Sequence, residues 1–299
     1  MKIRAPAKIN LYLRVVGRRK DGYHLLDTVL VPISLYDEIE IQKFKSDNDR
    51  AGSSRTRIKV TCDHPLVPAG RKNIAFRAVD LILTTAAIDQ RVSLHIHKNI
   101  PVGAGLGGGS SDAAAVLIAL NRLFHLGYSL RKLETLGLLL GADVPFFIRG
   151  RPARARGIGE RLTPLAKFRR FWLVILYPEF PVSTAWVYGK VRPKLTKSKV
   201  NISIIASLRN FAEIRKVLVN DLEAVTISKY PRIGLLKERL RREGAGGVLM
   251  PGSGSSVFGI FANRRLAFRA FKRLKKEEGV QAFLAHVLNK RSQYRSPSN

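Results

Sequence analysis

The sequence predicts an α+β protein with two domains, and two patterns carry this prediction. Lys2–Val16 alternates with a period of two, and Ile9, Leu11 and Leu13 share one face, which is typical of a strand that covers one side of a core. The second half reads strand, helix, strand, strand, helix, strand. That order is typical of a ferredoxin-like α+β sandwich.

The boundary between the domains is predicted where the density of charge rises, around Leu165–Arg170. The first domain then covers residues 1–165 and the second covers residues 166–288. Residues 289–299 are predicted to be a disordered tail.

Each half contains elements with clear patterns. In the first half, the predicted strands after Lys2–Val16 are Thr28–Ile33, Asp37–Lys43, Ile58–Thr61 and Arg91–His97, and the predicted helices are Asn73–Leu83, the stretch after Ser110, and Ser129–Leu140 with Ser129 as N-cap. Asp21-Gly22 predicts a hairpin turn, and Lys45–Arg57 predicts a polar insertion. In the second half, strands are predicted at Phe171–Tyr177, Val248–Met250, Val257–Phe261 and Val280–Val287, and helices at Val182–Val191, Ile202–Leu208, Phe211–Leu222, Tyr230–Arg242 and Arg264–Glu278.

The composition restricts the class of protein. The chain has 299 residues, of which 45% are hydrophobic, so it can bury a sizeable core. Cys62 is the single cysteine, which excludes an internal disulfide and favours a reducing compartment. No apolar run reaches the roughly 18 residues of a membrane span, and the first residues lack a signal-peptide core. We expect a cytoplasmic protein without membrane contact.

The charge is unusual, with 53 Lys and Arg against 22 Asp and Glu, a formal net charge of +31. Such a field favours anionic partners, including nucleotides and, non-specifically, nucleic acid.

The most informative stretch is the glycine-rich segment Pro101–Ala115, PVGAGLGGGSSDAAA, which runs into an apolar helix. Glycines allow positive φ and bring backbone N–H groups close to a ligand, and a helix start at Ser110–Ser111 adds unpaired N–H donors. Together they predict an anion site, best suited to the phosphates of a nucleotide.

This phosphate loop differs from several known types. A Walker A loop needs a lysine directly before the Ser or Thr, and Gly109 stands there. The GxGxxG spacing of Gly103, Gly105 and Gly108 lacks the acidic residue that a dinucleotide site has about 20 residues further on. Protein-kinase HRD and DFG motifs are absent from the sequence.

Three other positions are candidates for chemistry. Lys8 and Asn10 project from the same face of the first strand, either into a site or into solvent. Asp143 lies in an apolar run, so its carboxylate must be paired, cap a backbone N–H, or take part in a reaction. His95 and His97 form an H-x-H pair, but with no Cys and no acidic partner nearby we expect no metal site there and favour packing between strands.

Six motifs occur in order along residues 2–288: AKIN, DGYH, the phosphate loop, GADVPFF, NDLE and GSGSSVFGIF. They resemble the motifs of the GHMP kinases, a superfamily of small-molecule kinases. Three of these motifs, AKIN, DGYH and GADVPFF, resemble those of one branch of the superfamily, whose members phosphorylate the 2-hydroxyl of a cytidylyl-methylerythritol. The resemblance implies a ribosomal-S5-domain-2-like first domain with the ATP site and a ferredoxin-like second domain. It also implies ATP and Mg²⁺ as cofactors.

The resemblance also implies functions for residues. Lys8 and Asp143 match the catalytic pair of the family, and either Ser110 or Ser111 would turn its hydroxyl toward phosphate or Mg²⁺. The backbone that holds ATP phosphates would come from Pro101, Val102, Gly103, Ala104, Gly105, Leu106, Gly107, Gly108, Gly109, Ser110 and Ser111.

Further residues match substrate positions of the family. Asn10, Tyr23 and His24 would line the substrate side, and Tyr188 would stack on cytosine, although a tyrosine that only packs its helix fits the pattern equally well. Asn220 and Asp221 would support the active site, and Gly252–Ser256 would close against the ATP loop.

The sequence departs from the family at Pro251, which stands where a small residue is usual and removes one backbone N–H. Two other functions stay open: a different GHMP kinase of the homoserine or mevalonate type, and a basic nucleic-acid-binding protein on a kinase scaffold. We expect a monomer or a weak homodimer.

Overall fold

The computed structural model describes residues 1–44, 57–165, 168, 170–191 and 211–289. It shows the predicted α+β fold, with strands gathered into two sheets. The described strands are β1 (Lys2–Arg18), β2 (His24–Phe44), β3 (Ile58–Cys62), β4 (Arg91–His97), β5 (Ala153–Gly157), β6 (Arg161–Pro164), β7 (Trp172–Tyr177), β8 (Val219–Asn220), β9 (Gly247–Leu249), β10 (Val257–Phe261) and β11 (Gln281–His286). The described helices are α1 (Ile74–Thr85), α2 (Gly108–Leu123), α3 (Leu130–Leu140), α4 (Val144–Arg149), α5 (Thr184–Lys190), α6 (Phe211–Val217), α7 (Glu223–Lys229), α8 (Arg232–Arg242) and α9 (Arg264–Leu274).

The first sheet has the strand order β3-β4-β2-β1-β8, and in addition β5 pairs with β2 and β6 pairs with β5. The prediction of two separate strands at Thr28–Ile33 and Asp37–Lys43 is wrong, because β2 is continuous. Its register against β1 jumps from Pro6 opposite Tyr36 to Ala7 opposite Ile33. A bulge of this kind bends a strand without ending it. In the sequence, the interrupted alternation at the bulge looks the same as the end of one strand and the start of another.

Helix α2 is the centre of the first core. Its residues Ser111–Leu120 are all buried, and it lies against β1 and the helices α1, α3 and α4. Alanine is the best helix former and its small side chain lets other elements approach on every side, so an alanine-rich segment suits this central position. Ser129 caps α3 as predicted, since its hydroxyl accepts a hydrogen bond from the Lys132 N–H at 3.2 Å.

The second sheet has the order β11-β7-β10-β9 and is antiparallel throughout. With α8 and α9 as the connecting helices, this is the ferredoxin-like arrangement that the sequence predicts. Its helices bury their apolar side chains against the sheet, with Leu236 and Leu240 from α8 and Ala270 and Leu274 from α9 in one core.

The sequence prediction also differs from the structure in both halves of the chain. The predicted helix Phe211–Leu222 ends at Val217, and Val219–Asn220 pairs with β1 in the first sheet. The short helix α4, directly after Asp143, was absent from the sequence prediction. The predicted helix at Ile202–Leu208, most of Lys45–Arg57 and nearly all of the predicted tail lie outside the described residues.

The proposed boundary near residue 165 stays a prediction. Strand β6 ends at Pro164 in the first sheet and β7 begins at Trp172 in the second sheet. Within the described residues, none of the helices is long and apolar enough to cross a bilayer.

Candidate active site

The glycine-rich segment forms a loop that leads into helix α2. Gly103, Gly105 and Gly107 have φ values of +67°, +78° and +73°. Helix α2 begins at Gly108, two residues before the predicted start at Ser110. The first turn of a helix leaves its N–H groups without partners inside the helix, so the loop presents donors to an anion.

Close approach explains why side chains are excluded from this loop. A Cβ added at Gly107 would lie 2.9 Å from Phe147 Cζ and 3.1 Å from Lys8 Cε, and one added at Gly105 would overlap the Pro251 carbonyl oxygen. The Lys8 N–H also donates to the Leu106 carbonyl at 2.9 Å. The phosphate loop is therefore fixed directly to the first strand.

Two chambers adjoin this loop. The first, of about 480 Å³, is lined by the loop, Lys8 and residues Leu66–Pro68. The second, of about 620 Å³, is lined by residues Asp21–His24, among others. Both chambers share the side chains of Asp143, Tyr188 and Thr184, together with Leu26 and Ser110. Two reactants held in separate chambers would thus meet at Asp143.

The structure brings the predicted pair Lys8 and Asp143 together. Lys8 Nζ lies 3.7 Å from Asp143 Oδ2, and the lysine side chain is buried while that of Asp143 is 36% exposed. Asp143 occupies the N-cap position of α4, but its side chain makes no capping hydrogen bond. The capping interpretation is therefore wrong, and the carboxylate faces the chambers.

A chain of hydrogen bonds orients Lys8. Lys8 Nζ donates to Asn10 Oδ1 at 2.8 Å, Asn10 Nδ2 donates to Thr28 Oγ1 at 2.8 Å, and the Thr28 hydroxyl donates to the Tyr12 carbonyl at 2.6 Å. The Tyr12 carbonyl can only accept, so the Thr28 hydroxyl must donate to it and must accept from the Asn10 amide. The direction of every hydrogen bond in the chain is therefore fixed. Asn10, predicted as a substrate contact, lines the first chamber but directs its amide oxygen to Lys8.

The remaining predicted substrate residues gather at the second chamber. The rings of His24 and Tyr188 lie 5.2 Å apart with an interplanar angle of 37°, and Tyr23 is 61% exposed beside them. Burial, and then the charge of Arg18, lowers the pKa of His24 below its usual 6.5, so the ring is neutral at pH 7. Burial and the nearby Asp143 carboxylate raise the pKa of Tyr188, which keeps its hydroxyl protonated.

The third glycine segment, Gly252–Ser256, touches the phosphate loop as predicted: the Ser256 N–H donates to the Ala104 carbonyl at 3.3 Å. Asn220 Nδ2 donates to the carbonyls of Met250 and Gly252, both at 2.7 Å. Pro251 contacts Gly105 through its carbonyl oxygen. This contact does not use the backbone N–H that proline lacks.

The neighbouring Asp221 holds the first strand. Its carboxylate accepts from Arg14 Nη1 at 2.6 Å and from the Val15 N–H at 2.9 Å. Asn220 and Asp221 thus both make contacts that support the site without lining either chamber, in agreement with the structural function expected for them.

Sequence reasoning missed a buried charge cluster beneath the loop. Lys98 Nζ contacts Asp37 and donates to Asp112 Oδ2 at 2.8 Å, and a Cβ added at Gly108 would lie 2.8 Å from this nitrogen. Burial raises the pKa of Asp112 to about 8 although Lys98 opposes the shift. A charged residue inside the run SSDAAA was the available signal, since a buried carboxylate needs a partner.

Comparison with known proteins matches two family models to the chain: GHMP kinases N terminal domain at residues 73–151 and GHMP kinases C terminal at residues 204–281. A 4-diphosphocytidyl-2-C-methyl-D-erythritol kinase from Geobacter metallireducens is 47% identical over 267 residues, which cover 89% of this chain and 91% of the relative.

Solved structures also match. A 4-(cytidine 5'-diphospho)-2C-methyl-D-erythritol kinase is similar with a TM-score of 0.80 and 38% identity, covering 97% of this chain and 100% of the other. A homoserine kinase from Cytophaga hutchinsonii reaches a TM-score of 0.73 at 19% identity, covering 97% of this chain and 94% of that one, which shows a common fold.

Proposed function

The chain belongs to the 4-diphosphocytidyl-2-C-methyl-D-erythritol kinases of the GHMP kinase family, and we propose that it catalyses their reaction where its two chambers meet. The reaction transfers the γ-phosphoryl group of ATP to the 2-hydroxyl of 4-diphosphocytidyl-2-C-methyl-D-erythritol and gives the 2-phosphate and ADP. The observation that carries the assignment is the Lys8–Asp143 pair at the junction of a chamber beside the phosphate loop and a chamber lined by His24 and Tyr188.

Asp143 is the proposed base. The acceptor is a tertiary alcohol, a poor nucleophile, and a carboxylate that takes or orients its proton assists attack on the γ-phosphorus. Asp143 is suited to this because it lines both chambers and no helix-capping hydrogen bond holds its side chain.

Lys8 is the proposed electrostatic partner. Its ammonium lies 3.7 Å from the carboxylate and offsets negative charge on the transferring group. The hydrogen bond to Asn10 fixes the position of the ammonium before substrates bind, so little rearrangement is needed during the reaction.

The phosphate loop is the proposed ATP site, with backbone N–H groups of Gly103–Ser110 directed at the phosphates. Leu66, Val67 and Pro68 form an apolar wall of the same chamber, which suits the face of an adenine ring.

The residues present fit Mg²⁺. Ser110 lines both chambers, whereas Ser111 is fully buried and lines neither, so Ser110 is the serine that can face the ion or a phosphate. The Ser110 hydroxyl and the Asp143 carboxylate are oxygen donors of the kind that Mg²⁺ prefers. When bound, Mg²⁺ supplies positive charge that neutralises the phosphate oxygens.

The second chamber is the proposed cytidine site. Tyr188 and Tyr23 offer aromatic faces for stacking, and the neutral ring of His24 offers one donor and one acceptor to the edge of cytosine. Homoserine and mevalonate contain no nucleobase, so an aromatic lining of the acceptor chamber favours the cytidylyl substrate over these two acceptors.

The test is coupled release of ADP from ATP and Mg²⁺ with the cytidylyl substrate, and with homoserine and mevalonate as comparison acceptors. We expect turnover with the cytidylyl substrate alone, and a loss of at least ~100-fold in kcat for Asp143→Asn. Asp89→Asn is the matched control, because that carboxylate is 99% exposed and lines neither chamber. An Asp143→Asn enzyme of wild-type activity would contradict the assignment of the base.

A further inference from the structure

We propose that Asp63, His95 and His97 form a surface site for a borderline transition-metal ion of the Zn²⁺ type, on a part of the molecule outside both chambers. One ligand atom from each residue, an imidazole nitrogen or a carboxylate oxygen, lies within 4.8 Å of the others. Zn²⁺ bonds to nitrogen and oxygen ligands are roughly 2.0–2.2 Å long, so ligand atoms this close together are near enough to share one ion.

The fold creates this cluster. His95 and His97 are two residues apart on β4 and so project from the same face. Strand β3 runs parallel to β4 with Thr61 opposite His95, and Asp63 follows the end of β3. Strand β2 lies on the other side with Glu40 opposite His95. The interpretation that no acidic partner is near the histidines is therefore wrong, because strands distant in sequence supply two carboxylates.

Neighbouring groups orient two of the three ligands, His95 and Asp63, in advance. Thr61 Oγ1 lies 2.8 Å from His95 Nδ1, which leaves Nε2 as the available nitrogen of that ring. The Lys98 N–H donates to Asp63 Oδ1 at 2.8 Å and leaves Oδ2 available, 3.3 Å from His97 Nδ1.

The ligand types select the ion. Two imidazoles with a carboxylate suit Zn²⁺, Co²⁺, Ni²⁺ and Cu²⁺, while Mg²⁺ prefers sites made of oxygen atoms. Glu40 Oε1 lies 3.7 Å from His97 Nε2, but Lys2 holds the same oxygen at 2.7 Å. The site therefore has three protein ligands, and water completes the coordination.

The experiment uses the full, untagged chain, titrated with ZnCl₂ by calorimetry and with CoCl₂ by visible absorption. We expect one ion per chain, and affinity lower by at least ~10-fold in each of His95→Ala, His97→Ala and Asp63→Asn. Thr61→Val retains all three ligands and removes only the group that orients His95, so we expect a smaller loss.

The matched control is His125→Asn. His125 is an exposed histidine with φ +52°, a conformation that asparagine adopts readily, and it should leave the affinity unchanged. Kinase activity without added Zn²⁺ should be the same in all five variants, since none of these residues lines a chamber. Absence of saturable binding, or equal affinity in wild type and the His95→Ala variant, would overturn the proposal.

Discussion

Thr28 shows how a residue without direct contact to the reacting groups can control them. Its hydroxyl stands between the Asn10 amide and the Tyr12 carbonyl, and through Asn10 it decides that an oxygen faces Lys8. If the amide turned over, its NH₂ group would face the ammonium. The orientation of Lys8 thus depends on one buried hydroxyl.

Thr28→Val keeps the shape of the side chain and removes this hydroxyl. We expect kcat to fall roughly tenfold, because the Asn10 donor is left buried without an acceptor and Lys8 loses its fixed position. The KM for ATP should change by less than about twofold, since the phosphate loop is untouched. Steady-state kinetics on purified variants measure both values.

Thr163→Val is the control for this substitution, because Thr163 is an exposed threonine on β6 of the same sheet and lines neither chamber. Valine is at least as favourable as threonine on a strand. Equal kcat values for the two variants would show that the hydroxyl of Thr28 has no part in positioning Lys8.

The sequence predicted these residues unevenly. Lys8 and Asp143 were found because their motifs resemble a family, whereas pattern alone left Lys8 as a solvated residue. Thr28 was missed because β1 has a register shift between Asn10 and Tyr12, which decides which β2 residue reaches the Asn10 amide. A bulge follows from packing of the whole sheet, so local sequence does not specify it.

At the scale of elements, the phosphate loop and the third glycine segment act as one unit. Gly105 lies against Pro251 and Gly254, and Asn220 holds the third segment through the Gly252 carbonyl and the preceding strand end through the Met250 carbonyl. The shape of the ATP chamber therefore depends on close contact between loops from opposite halves of the chain.

Gly105→Ala tests this contact. The added Cβ overlaps the Pro251 carbonyl, which is backbone and cannot rotate away, so the third segment must move. We expect the KM for ATP to rise by at least ~10-fold, equivalent to about 1.4 kcal/mol. The substitution also places alanine at φ +78°, which lowers the free energy of unfolding by about 1 kcal/mol.

Gly127→Ala separates these two effects. Gly127 has φ +66°, but an added Cβ meets no atom within 4 Å. It should show a similar loss of stability in thermal unfolding and an unchanged KM for ATP. If both variants raise the KM equally, backbone strain and not loop contact explains the change.

The elements themselves were predicted well where the pattern was local. The Ser129 cap, the alternation of Arg91–His97 and the ferredoxin-like order all follow from residues close in sequence. The prediction was wrong where pairing between distant segments decides the outcome. Val219–Asn220 continues an apparently helical pattern, yet it pairs with Tyr12 and Leu13 of β1. Tertiary pairing overrides local propensity in such short segments.

At the scale of the whole molecule, the net charge of +31 exceeds what a phosphate site needs, and non-specific binding of nucleic acid stays a prediction.

Charge also affects the core. Lys98 is shared by Asp37 and Asp112, so one ammonium faces two carboxylates beneath the phosphate loop. Asp37 also accepts from the N–H groups of Asn99 and Ile100 at 2.7 and 2.8 Å, while Asp112 Oδ1 has no hydrogen-bond partner among the described residues. Two backbone N–H groups thus hold the Asp37 carboxylate, whereas burial raises the pKa of Asp112 and favours its protonated form.

This difference predicts the pH dependence of stability. The pKa of Asp112 rises from its usual 3.8 to about 8 on folding, so the folded state binds more protons than the unfolded state between these values. The contribution to the free energy of unfolding is complete below pH 4 and is lost as the pH rises through about 8. Asp112→Asn carries a neutral amide of the same shape and should abolish this component. We expect the Tm of the variant to match that of wild type near pH 5 and to exceed it by a few degrees near pH 9, measured by thermal unfolding across this range.

Asp89→Asn, at a fully solvated carboxylate, should follow wild type at every pH. Parallel curves for wild type and Asp112→Asn would show that Asp112 is ionised throughout, with Lys98 strong enough to hold two carboxylates.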